Sequence, residues 1–258
     1  MGRIFDLDSP IMRGLSKMAD VMWLNILVLV FALPLIIQQY LMLGAIAFDE
    51  EAFVINYVFW AWVVGIVASI PFGAALTAMH FVLLKIVRDE ESYITKTFFK
   101  SYKENFKQSS VLMIIQFVAA GILVMDFLLI RNASVVYRYI ITAATIVLLM
   151  AAMYIFPLQS KFQNTILGTL KNSFLVAIMA LPKTVAMVIV SLFPILLYYF
   201  FGFKLVPLII LIGIAGPGYA CAALYNETFK KFEPKEEEVT EEQELENAIK
   251  KIEEDDNT

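Results

Sequence analysis

The sequence predicts an all-α fold: a polytopic transmembrane helical bundle of about six spans, with both termini in the cytoplasm. Three observations carry that expectation. Hydrophobic residues make up 60% of the 258, and mean hydropathy is +0.75, well above the roughly 45–50% apolar content of soluble domains. The apolar residues gather at about 21–43, 53–86, 109–130, 138–159, 183–201 and 204–226, each near or above the ~20 residues a helix needs to cross a bilayer. The loops between them alternate between rich and poor in lysine and arginine, which sets orientation by the positive-inside rule. Alternation of apolar and polar residues, the mark of a barrel strand, is absent.

In order along the chain, residues 1–20 form an amphipathic juxtamembrane segment. Ile4, Phe5, Leu7, Ile11, Leu15 and Met18 mix there with Arg3, Asp6, Asp8, Arg13 and Lys17. Ser9-Pro10 reads as a cap followed by proline at the first helical position, so a short helix lying on the inner surface is expected before the first span. No small-residue cleavage site follows the first apolar run, which is therefore expected to stay as an anchor. The transmembrane domain, 21–232, comes next. Phe53–Lys85 is too long for one straight span, so tilt or an outer helical extension is expected. Lys85, Arg88, Lys96, Lys100, Lys103 and Lys107 follow the second span. Lys161, Lys171 and Lys183 follow the fourth, and Lys230 and Lys231 the sixth. The opposite side carries Arg131, Arg138, Lys204 and the acidic turn Asp49, Glu50, Glu51.

The basic loop contains an expected amphipathic helix at about 92–108. Ile94, Phe98, Phe99, Tyr102 and Phe106 fall at helical spacing, while Lys96, Lys100, Lys103 and Lys107 lie mostly elsewhere on the wheel. Such a helix sinks its aromatic face to the headgroup boundary. Each lysine gains on the order of 1 kcal/mol from an anionic inner leaflet. Two readings stay open: a helix that only seats the bundle, or a docking surface for a partner. The tail, 233–258, is a separate object, holding twelve of the chain's 24 acidic residues against three lysines. A marginal helix along Leu245, Ala248, Ile249 and Ile252, after the capping-box pair Thr240 and Gln243, is expected within a largely disordered acidic tail.

Gly65, Ser69, Gly73 and Thr77 stand four residues apart in the second span, a stripe of the kind that lets membrane helices approach closely. Pro71 interrupts the same segment, and Gly216-Pro217-Gly218 interrupts the last. Paired breaks can expose backbone groups to a ligand or be kinks met by neighbouring side chains; packing is the favoured reading. The intramembrane polar residues are Asn25, His80, Gln116 and Asp126. Such groups are functional hypotheses by default. Asp126 is expected to pair with Arg131 or Arg138, and His80 to be a hydrogen-bonded packing residue. Cys221, the one cysteine, is expected to pack.

The sequence offers no catalytic constellation. One histidine cannot build a zinc site, no carboxylate pair stands in a buried segment, and no Gly-rich phosphate loop occurs. Neither enzymatic activity nor a cofactor, metal or nucleic-acid partner is expected.

Specific residues carry a family resemblance. Met1 to Pro10 (MGRIFDLDSP), Asp20, Asn25, Pro71-Phe-Gly-Ala-Ala75, Leu84-Lys-Ile-Val-Arg-Asp-Glu-Glu91 and Phe98-Phe-Lys-Ser-Tyr-Lys-Glu-Asn-Phe-Lys107 resemble the YesL-like family of small bacterial membrane proteins, a conserved domain of unknown function. The resemblance covers the membrane part. The segment between Pro34 and Pro71 is longer than in many members, and the acidic tail is peculiar to this chain. The resemblance implies a plasma-membrane protein whose genes often lie near carbohydrate importers, hence an accessory of carbohydrate uptake with ABC-type importer subunits as partners. It supplies no catalytic residues. The expected mechanism is docking through the 93–107 helix and the small-residue faces, which would also permit a homo-oligomer. The rival is a small-molecule transporter or ligand-binding protein with its site at the Pro71 and Pro217 breaks.

Overall fold

A computed structural model describes residues 9–44, 55–90, 92–129 and 135–233. Among them there is no strand. The helices are α1 (Pro10–Gly44), α2 (Ile55–Ala68), α3 (Ile70–Val87), α4 (Ile94–Leu129), α5 (Val135–Lys161), α6 (Ile166–Met179), α7 (Leu181–Phe201), α8 (Val206–Ile212) and α9 (Ala215–Phe229), with a 3₁₀ turn at Gly202–Leu205. The chain through Asn226 forms one body. The residues from Glu227 form a second, described as the end of α9 and a turn closed by Phe232 N–H to Phe229 O at 2.9 Å. The acidic tail beyond Glu233 lies outside the described residues.

The architecture is a polytopic helical bundle, with helix boundaries that differ in part from expectation. α1 runs unbroken from Pro10, so residues 10–20 of the amphipathic start continue straight into the first span, with no proline before Pro34; residues 1–8 lie outside the described residues. α4 likewise joins the basic helix to the third span as one 36-residue rod. The second segment is two helices that meet at Ser69, because Pro71 has no N–H to bond Val67 O. A further helix, α6, occupies what reads as loop, started by Thr165, whose hydroxyl accepts Gly168 N–H at 3.1 Å.

Among the described residues five stretches are long and apolar enough to cross a membrane, one of them Leu181–Ile212. Six spans are expected from sequence; the difference lies in this last stretch. At Gly202 the backbone takes φ 59°, a conformation glycine adopts without strain. The chain then doubles back: Cys221 of α9 sits with its Sγ 3.6 Å from Ser191 Oγ and 3.7 Å from Met187 O, both on α7. The sixth span is thus α8 and α9 in series, each too short alone.

α3 is the centre of the bundle, with Gly73, Ala74, Ala75, Thr77, Ala78, Met79, Val82, Leu83 and Leu84 all buried. α4 lies along both α2 and α3, with Trp62 Nε1 donating to Phe117 O at 3.2 Å and Thr77 Oγ1 2.7 Å from Ser109 Oγ. Leu112 and Met113 of α4 meet Ile155 and Phe156 of α5 in a buried cluster with Phe72 and Leu76 packed against it. Polar contacts tie α1, the end of α3, α4 and α9 together. Lys17 pairs with Asp89 at 2.6 Å, Trp23 Nε1 donates to Thr95 Oγ1 at 2.9 Å, and Arg88 Nε donates to Asn226 Oδ1 at 2.8 Å.

Candidate functional site

The first turns of α4 present the most organised surface feature. Lys96, Lys100, Lys103 and Lys107 are all exposed, and their 4-3-4 spacing puts them on one stripe. The opposite side of the same turns is fixed to the bundle. Phe98 is fully buried, and its ring lies 5.9 Å from that of Phe31 on α1. Tyr102 stacks on Phe31 at 4.4 Å and Phe99 meets it edge-on at 6.1 Å. The aromatic face expected at the headgroups is therefore divided: Phe98 and Tyr102 turn to α1, while Phe99 and Phe106 remain exposed. Polar ties complete the attachment. Gln159 Nε2 donates to Asn105 Oδ1 at 3.3 Å, and Gln108 Nε2 donates to Asn164 O.

The small-residue stripe faces α4. A Cβ on Gly73 would stand 2.4 Å from Met113 Cβ and 2.9 Å from Ser109 O, and one on Gly65 would meet Phe117 at 2.9 Å. Thr77 Oγ1 lies 2.7 Å from Ser109 Oγ. This face packs inside the chain, as the packing reading expects. Gly218 is used the same way, with Leu83 Cδ1 2.9 Å from where its Cβ would be. Gly216 and Pro217 instead line an apolar cavity of about 540 Å³ between α7, α8 and α9.

The helix breaks are closed by side chains. Asn25, fully buried on α1, is inserted into the junction of α8 and α9. Its Oδ1 accepts Ile214 N–H at 2.8 Å and Ala215 N–H at 2.7 Å, and its Nδ2 donates to Ile210 O at 2.7 Å and Ile209 O at 3.3 Å. One carboxamide thus replaces the ladder bond that Ile214 N–H would make to Ile210 O, which is what bends the segment. At the second break, Ser69 Oγ donates to Ile66 O at 2.8 Å, and Ser69 O accepts Phe72 and Gly73 N–H. At a third, between α6 and α7, Thr184 Oγ1 lies 2.9 Å from Ala177 O, 3.0 Å from Ala180 O and 3.1 Å from Tyr154 Oη. Sequence reasoning missed this third break, although Pro182 marks it.

The remaining polar candidates are scattered. His80 Nδ1 is 3.2 Å from Tyr225 Oη, a partner on α9. Asp126 is half-buried near the end of α4 and forms no ion pair with Arg138 or any other described residue; Arg131, its other expected partner, lies outside them. Gln116 differs from all of these, because its Oε1 is buried without a hydrogen-bond partner. Among the described residues no cluster of three metal-ligating side chains occurs.

Residues 52–127 match the model of a family described as protein of unknown function, DUF624. The match takes in the small-residue stripe and the whole basic row, and supports an uncharacterised domain family there. No curated protein and no solved structure matches the chain.

Proposed function

We propose that this chain is a non-enzymatic membrane protein that docks a partner through the lysine row of α4. In this reading the partner belongs to a transport system, and a carbohydrate importer in the plasma membrane is the specific candidate. The row supports it: four exposed lysines on one stripe, carried by turns whose other side is locked to α1 through Phe98, Tyr102 and Phe31. A helix already fixed to the bundle loses little backbone entropy when a complementary acidic surface meets it. Charge on such a rim chiefly sets association rate and specificity.

The test is a pull-down of the intact chain from its native host in mild detergent. Lys96→Glu, Lys100→Glu and Lys103→Glu are combined and compared with wild type. Co-purified transport subunits should fall at least tenfold, with membrane abundance and melting temperature unchanged. Equal recovery would remove the docking role.

A transporter reading, with its site at the breaks, draws on the cavity beside Gly216 and Pro217. It draws less from the breaks themselves, since Asn25 and Ser69 already occupy backbone groups that a ligand would need. Alanine at Gly216 that abolishes uptake of a small molecule without altering the fold would favour it.

A further inference from the structure

We draw no further inference here: the strongest candidate, the apolar cavity of about 540 Å³ between α7, α8 and α9 beside Gly213, Gly216 and Pro217, is an open apolar face, and nothing in the structure shows what covers it.

Discussion

Replacing Asn25 with leucine tests the helix-break geometry in one step. The side chain holds four backbone groups at the α8–α9 junction. Ile209 O keeps a second bond from Gly213 N–H at 2.8 Å, so it is not orphaned. Ile214 N–H, Ala215 N–H and Ile210 O are. Side-chain hydrogen bonds between membrane helices average only about 0.6 kcal/mol, because their partners are exchangeable. Here the junction is bent and the residue is fully buried, so the backbone groups have no substitute, and each buried orphan costs about 1–3 kcal/mol. Asn25→Leu should therefore cost about 3 kcal/mol or more, read as the shift of an SDS unfolding curve in mixed micelles. A leucine variant within about 1 kcal/mol of wild type would refute the assignment, because it would mean the break relaxes into a continuous helix.

Other outcomes follow from the same geometry. Gly73→Leu drives a side chain into Met113 Cβ and Ser109 O; α3 and α4 must part, and the variant should lose several kcal/mol in the same assay, beyond the 1–3 typical of overpacking. Thr184→Val removes the hydroxyl shared by Ala177 O, Ala180 O and Tyr154 Oη and should cost about 1–3 kcal/mol.

The parts of this molecule that depend on local pattern were legible in its sequence, and the parts that depend on distant partners were not. Apolar stretch lengths gave the bundle, and lysine spacing gave the exposed row, because both are properties of one helix. The junction inside α4 at about Gln108 was drawn where charge ends, yet no proline or glycine stands there to break a helix, and Lys, Glu and Ser continue one readily. α6 was missed because 14 residues are too few for a span; Thr165 before an apolar run was the available signal. Asn25 stood out as a polar residue in an apolar run, but the junction it enters lies 184 to 190 residues away. The small-residue stripe announced a close contact without naming α4 as the neighbour that fills it.

The docking role is tested most directly by placing a photo-crosslinking amino acid at Lys100 in the intact chain, with Val67 on the membrane flank of α2 as the comparison site. Illumination in the native host, followed by mass spectrometry, identifies what touches each position. The account predicts that position 100 captures a cytoplasmic segment of a transport subunit, rich in Asp and Glu, while position 67 captures lipid. Capture of lipid alone at both positions would contradict it, leaving the lysine row as a membrane seat.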